Sequence, residues 1–430
     1  MSIERSSREL VVAMGDEVAG SVVRLRNGRL QFDYQRRYQR LRSATPLSVS
    51  MPRQIARHPD KTITPWLWGL LPENDGVLAR WAREFQVSAS SPFSLLSTPV
   101  GEDCAGAVRF VLPESASSAI RRAGRVRWLT EDEIAGRLKE LHKDQTAWLG
   151  SNFSGQFSLA GRQAKTALLH RDGRWGVPSG SMATSHILKP AILGLDDHDL
   201  NEHLCLDAAR RAGLVAARTA VRRFADETAI VIERYDRRES DVGLVRIHQE
   251  DVAQALGYPP SRKYQNEGGP GAREIIQLFR RTMPPPASDD ATWRFVDALA
   301  WNWIIGGTDA HAKNYSLLLA GDDVRLAPLY DIASALPYDI HPKKLKLAMK
   351  LGGEYRLKAH NTRTWLKEAT ELGLDIDEVR TRVRMLTTAA PQAFSDAAAE
   401  RDVKSLRSSL PSRLVDAVAH RSAECERLVA

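Results

Sequence analysis

Over its first hundred residues the chain alternates apolar and polar positions in short spans, which predicts strands. Residues 21–34 (SVVRLRNGRLQFDY) set Asn27-Gly28 between two alternating runs, the pattern of a hairpin with a type I′ turn. A turn-rich stretch follows, and residues 76–87 then carry apolar side chains at helical spacing. Residues 130–142 open with Thr130 and Glu133 at capping-box spacing and predict a connecting helix. From residue 156 the texture changes. Strands are expected at 165–171, 175–177 and 185–190, with an Asp172-Gly173 turn between the first two. A helix is expected over 199–213, with Leu200, Leu204 and Ala208 on one face and Gly213 just past its end. Another hairpin, 219–224 with 229–233, should turn about Asp226-Glu227. Beyond Arg238 the pattern is mostly helical. The prolines 284–286 are expected to end one helix and residues 288–290 to cap the next. Val296, Leu299, Ala300, Trp303 and Ile304 make 291–305 a core helix that stops at Gly306-Gly307.

This order predicts an α+β protein in four segments: a β-rich module at 1–112, a helical connector at 113–152, a small antiparallel-sheet lobe at 153–238 and a mostly helical lobe at 239–430. A sheet lobe followed by a helical lobe is the order of protein kinases, and other two-lobed ATP-using folds share it.

Composition narrows the class. At 430 residues and 47.8 kDa the chain exceeds what one core usually supports. No apolar run approaches the length needed to span a bilayer, and residues 1–10 lack a secretory core, so a cytoplasmic protein is expected. Cys104, Cys205 and Cys425 are far apart, which fits reduced thiols. The net charge of +8 is spread over doublets such as Arg36-Arg37, Arg121-Arg122, Arg222-Arg223 and Lys343-Lys344. That distribution fits a solvated basic surface, or work beside polyanions. No helix-turn-helix or zinc-finger pattern is present to read DNA directly.

The sharpest local signal is 306–315, GGTDAHAKNY. Asp309 and Asn314 stand five apart in a loop after a buried helix, and a short hairpin then delivers Leu329-Tyr330-Asp331. Phosphoryl transfer needs these parts: one Asp to orient the attacking hydroxyl, and an Asn with a second Asp to hold a divalent metal over the phosphates. Single Asp and Asn residues often only form turns, but the combination of three points to chemistry. Residues 158–166 (SLAGRQAKT) offer a Gly-containing turn whose amides could cradle phosphate, with Lys165 and Thr166 adding charge and a hydroxyl. The segment lacks both common glycine-rich signatures and is weak alone. Lys189 is the candidate phosphate-binding lysine and Glu202 its candidate partner. Glu233 and Tyr235, at the passage into the helical lobe, are placed to meet adenine. His198, His203 and His311 match no zinc spacing, and His311 is better suited to bracing its loop.

Taken together, SLAGRQAKTALL, HILKP, NEHLCL, VIERYDRR, QEDVAQALG, KYQNEGGPG, GGTDAHAKNYS, LAPLYDIASALP and KLKLAM resemble the HipA-type toxin kinases in content and order, and LLPEN and VGEDCAGAVRF resemble that family's N-terminal module. The resemblance implies a serine/threonine protein kinase of a HipBA-like toxin–antitoxin system. The resemblance further implies that it uses ATP with Mg2+ or Mn2+ and that its antitoxin is a small HipB-like helix-turn-helix protein linking it indirectly to DNA. The protein substrate implied is an aminoacyl-tRNA synthetase. By residue match Asp309 is catalytic, Asn314 and Asp331 hold metal, and Ser158 is autophosphorylated. The expected ATP-binding set is Ala160, Gly161, Gln163, Lys165, Lys189, Glu233, Tyr235, His311, Asn314 and Asp331. Arg162 and Ala164 depart from the usual loop residues, and Arg162 adds a charge there. A small-molecule or lipid kinase, and a corepressor that docks a DNA-bound antitoxin, are the competing readings.

Overall fold

The computed structural model describes residues 8–116, 124–150, 156–192, 194–241, 243–338, 340 and 344–429. Arg121, Arg122, Lys343 and the first seven residues lie outside them. The chain divides into two compact units. One comprises Met1–Leu188, Asp236–Ser261 and Leu317–Val324; the other comprises Lys189–Tyr235, Arg262–Ser316 and Arg325–Ala430.

In the first unit, strands β1 (Glu9–Met14), β2 (Glu17–Arg24) and β3 (Leu30–Tyr34) form an antiparallel meander, extended by Arg57–His58 beside β3 and by β4 (Val108–Val111) beside β1. Alternation buries Leu10, Val12, Val22 and Phe32 on one face. They join Trp66, Trp81, Phe93, Phe110, Trp148 and Phe157 in one core. The β2–β3 hairpin is where the sequence predicts it, but its turn is not type I′. Arg24 pairs with Leu30, Gly28 N–H donates to Leu25 O (3.0 Å), and Gly28 alone takes positive φ (+82°). This is a longer turn closed by a left-handed glycine. Helix α1 (Asp60–Gly69), inside the stretch expected to be turns, carries Pro65 and packs Ile63, Trp66 and Leu67 into the core. Helix α2 (Glu131–Lys143) makes both capping-box bonds, Thr130 N–H to Glu133 (2.8 Å) and Glu133 N–H to Thr130 (3.2 Å).

Strand β5 (Thr166–Arg171) pairs with β6 (Arg174–Ser179) and β7 (His186–Lys189). Asp172 and Gly173, both at positive φ, turn the first hairpin. The same unit holds a charged network. Asp103 accepts from Arg237 Nη2 (2.9 Å), Arg246 Nη2 (3.2 Å), and Thr184 N (3.0 Å) and Oγ1 (2.7 Å). Arg237 also pairs with Asp236 (3.0 Å), and all of these side chains are nearly fully buried. Removing one partner of such a set strands the others without water. Asp103→Ala is therefore expected to cost about 3–5 kcal/mol, read as a lowered urea midpoint.

In the second unit, helix α3 (His198–Arg211) stands where the sequence predicts it, with Gly213 at φ +90° past its end. The hairpin β8 (Thr219–Phe224) with β9 (Glu227–Glu233) turns one residue early, at Ala225-Asp226, with Ala225 at φ +50°. Helix α4 runs Pro285–Ile305. The proline run therefore starts this helix instead of ending the one before: Pro284 is the N-cap and Pro285 the first helical residue, where a missing N–H costs nothing. Helix α4 buries Phe295, Leu299, Trp301, Trp303 and Ile304, and Trp301 stacks on Phe394 at 5.8 Å. Among the described residues no helix is long and apolar enough to cross a membrane.

Candidate functional site

Helix α4 ends in Gly306 at φ +66°, and Gly307 N–H donates to Asn302 O (2.8 Å). A Cβ on Gly307 would sit 2.2 Å from Asn302 Oδ1, so any larger residue there would have to displace that buried side chain. The exit launches the loop that carries Asp309 and Asn314. Asp309 is exposed, its carbonyl accepts His311 N–H (2.8 Å), and a 3-10 turn over Ala312–Asn314 follows. His311 is buried, with its ring edge-on to Tyr264 at 4.8 Å. Tyr264 donates its phenol to Asp309 Oδ1 at 2.5 Å.

Asn314 is 4% exposed. Its Nδ2 donates to the Asp331 carbonyl (3.1 Å), while its buried Oδ1 has no hydrogen-bond partner. Asp331 takes a left-handed backbone conformation (φ +57°), sparsely used by non-glycine residues though tolerated by Asp. Lys189, at the end of β7, reaches both oxygens of Glu202 on α3 (2.8 and 3.1 Å) and Asp331 Oδ1 (2.7 Å). Burial alone would lower the Lys189 ammonium, but Asp331 and Glu202 more than offset this and hold it charged well above the ordinary lysine range. The neighbouring His198 is pushed down to about 4, chiefly by burial and then by the Lys189 charge.

The structure thus brings together Lys189, Glu202, Asn314 and Asp331. Helix α3 also supplies a residue missed from the sequence. Asn201 bonds Ser334 on both sides, Nδ2 to its carbonyl (2.8 Å) and Oδ1 to its N–H (3.0 Å). That bond pair pins the segment just beyond Asp331, and its only sequence signal is an Asn one position before the expected Glu. Glu233 is exposed and ties its N–H to Arg218 O (2.9 Å). Tyr235 is half-buried, its ring 5.6 Å from that of Tyr330.

The other expected residues, Ser158, Ala160, Gly161, Gln163 and Lys165, belong to the first unit. Ser158 is fully buried: its hydroxyl donates to Leu70 O (2.8 Å) and its N–H to Asp103 O (3.0 Å). Gly161, at φ +103°, bridges Pro72, and its carbonyl accepts Glu73 N–H (3.0 Å). Lys165 donates to Ala160 O (2.8 Å) and lies over the Trp148 ring at 4.6 Å. Arg162 is exposed and Gln163 half-buried.

A buried lysine–glutamate pair beside an Asp and an Asn from a returning loop defines a kinase-like phosphotransferase on a mixed α/β fold with antiparallel sheets and a β-rich N-terminal module. Residues 157–394 match the HipA-like C-terminal domain and residues 10–111 the HipA N-terminal domain. The chain is 33% identical over 418 residues to a putative kinase, Y4mE, of Sinorhizobium fredii, covering 96% of this chain and 98% of that one. It is 28% identical over 319 residues to the serine/threonine-protein kinase toxin HipA of Shewanella oneidensis, covering 71% of each. A solved Shewanella oneidensis complex of HipA, HipB and operator DNA contains a chain with the same fold, at TM-score 0.81, 23% identity and 98% coverage of both. The chain belongs to the HipA family of kinases.

Proposed function

We propose that the chain is an ATP-dependent serine/threonine protein kinase acting as the toxin of a toxin–antitoxin pair. The observation that carries this reading is the meeting of Lys189, Glu202, Asn314 and Asp331. An exposed carboxylate beside a buried amide oxygen without a partner is a hard-oxygen donor set suited to Mg2+ or Mn2+. Asn314 and Asp331 would hold that cation, which supplies charge neutralisation at the β- and γ-phosphates. Lys189, fixed by Glu202, contributes a point charge to the phosphates. Asp309 accepts the hydroxyl proton of the substrate as the acceptor oxygen bonds to phosphorus and ADP departs. Ala160, Gly161, Gln163 and Lys165 are the proposed phosphate-binding loop, Glu233 and Tyr235 the proposed adenine edge, and His311 the proposed brace of the Asp309 loop.

The partner reading is a HipB-like antitoxin, supported by the assembly in which the Shewanella relative was solved, with DNA reached through it. The target reading is an aminoacyl-tRNA synthetase in the cytoplasm. Ser158 is the expected self-modification site. A phosphate of about −1.5 to −2 charges would not be accommodated in its present buried position, so the modified loop must sit outside it. The test is incubation of the purified chain with labelled ATP, Mg2+ and host lysate. Label in protein and, by mass spectrometry, on Ser158 is the expected result. Label confined to lipid or small molecules, or none at all, overturns the protein-kinase reading.

A further inference from the structure

Asn201 is fully buried, and every hydrogen-bonding position of its amide is used. Its Oδ1 accepts Ser334 N–H (3.0 Å) and the Cys205 thiol (3.2 Å). Its Nδ2 donates to Ser334 O (2.8 Å) and to Tyr338 Oη (3.2 Å). Burial pushes the Cys205 thiol up, so it stays a donor, and that fixes which end of the amide faces it. Ser334 is fastened from a second side as well. Its hydroxyl donates to Ile305 O (2.5 Å), and the next N–H, that of Ala335, donates to Gly306 O (3.0 Å). Three elements meet at this point. Helix α3 carries Asn201 beside Glu202, Ser334 stands three residues after Asp331, and Ile305 and Gly306 close α4 just before the Asp309 loop.

A buried amide can serve only to satisfy its neighbours, or it can hold one of them for chemistry. This one pairs with both backbone groups of a single residue, as a strand partner would, and so fixes the register of the segment leaving Asp331 against α3. Asp331 itself sits at φ +57°, a conformation that persists where the surrounding structure imposes it. The Lys189 ammonium is shared between Glu202 and Asp331 and, on the reading proposed above, also meets phosphate. The tie through Asn201 uses neither that ammonium nor the Asp331 carboxylate, so it stays in place whichever of them a nucleotide engages. We infer that Asn201 is a positioning residue for Asp331: by locking Ser334 to α3 it sets the backbone from which the carboxylate reaches the cation.

This inference rests on the reading of Asp331 as a metal-holding residue, so Asn201→Ala and Asp331→Asn are measured side by side in the full chain. Mn2+ binding to the nucleotide-free protein is read from the electron paramagnetic resonance of the free ion, and the Mg2+ dependence of phosphoryl transfer is read separately. Phe394→Leu is the control, since it loosens the Trp301 stack in the same unit and leaves the Asn201 bonds intact. Asn201→Ala is expected to weaken Mn2+ binding by at least about tenfold, the lower end of the usual loss when a group that orients a metal ligand is removed. The Mg2+ needed for half-maximal rate should rise with it, while kcat at saturating Mg2+ stays near the wild-type value because the ligand itself is intact. Should Asn201→Ala not fold, Asn201→Ser is judged by the same measurements: its side chain is too short to reach Ser334 and leaves a smaller gap. Equal weakening in Phe394→Leu would make the effect a general loosening of the core and overturn the inference. So would unchanged Mn2+ binding in Asn201→Ala beside weakened binding in Asp331→Asn, which leaves the metal reading standing. Undiminished binding in Asp331→Asn removes both.

Discussion

Asp331→Asn is expected to lower ATP-dependent phosphoryl transfer by about 10²–10⁴-fold, on the scale of losing an essential charged group from a transfer site, while the protein stays folded. The substitution is close to minimal. Asn is among the few residues that tolerate the left-handed backbone found here (φ +57°), and the carbonyl that receives Asn314 Nδ2 is untouched. Lys189 keeps Glu202. What disappears is the negative charge, and with it the stronger half of the oxygen pair formed with Asn314 Oδ1. Asp309→Asn should cost a similar factor for a different reason, since it removes the proposed proton acceptor and leaves the proposed metal donors intact. Metal titration separates the two: raising Mg2+ or Mn2+ should recover part of the Asp331→Asn rate and none of the Asp309→Asn rate. Initial rates of phosphate incorporation decide the matter, and near-wild-type turnover in both variants would discard the assignment of the site.

What the sequence revealed and what it hid divide along sequence separation. The capping box on α2, the helical stripe of α4 and the Asp309–Asn314 spacing are local, and each has a physical signature within a few residues. The start of α4 departs from the sequence expectation because a triple proline looks like a terminator unless it sits in the first turn, where it initiates. Helix α1 was invisible because Pro65 interrupts it, and its stability comes from Trp66 and Leu67 packing into a core assembled from distant strands. The site follows the same rule. Nothing near Ser158 announces that Leu70 and Asp103, 88 and 55 residues earlier, will enclose it. The role of Asn201 emerges only when Ser334, 133 residues away, is folded against it. The pairing of Lys189 with Glu202 could be named as a candidate by analogy with the strand lysine and helix glutamate of kinases, but its burial and its third member, Asp331, needed coordinates.

That burial makes Lys189 the position where stability and chemistry can be pulled apart. Lys189→Met keeps the length and apolar stem of the side chain and deletes its charge. Glu202, with only 1% of its side chain exposed, is then left as a buried carboxylate without its cation. Breaking a buried pair from one side costs about 3–5 kcal/mol, so the single variant should unfold at markedly lower urea and bind ATP weakly. Adding Glu202→Gln removes the stranded charge as well, and the double variant should regain most of the lost stability, because a pair replaced on both sides is often near neutral. Activity should not return with it, since the point charge proposed to meet the phosphates is still missing. In the native protein the raised ammonium contributes its stabilisation fully below the unfolded lysine value of about 10.4, and loses it only as pH rises through the higher folded value. The comparison at about neutral pH therefore reads the pair at full strength. Urea midpoints and phosphate incorporation, measured on wild type, Lys189→Met and the double variant, give the result. Recovery of both stability and activity in the double variant would show that Lys189 serves the fold alone, and recovery of neither would mean that Glu202 is held by more than its lysine.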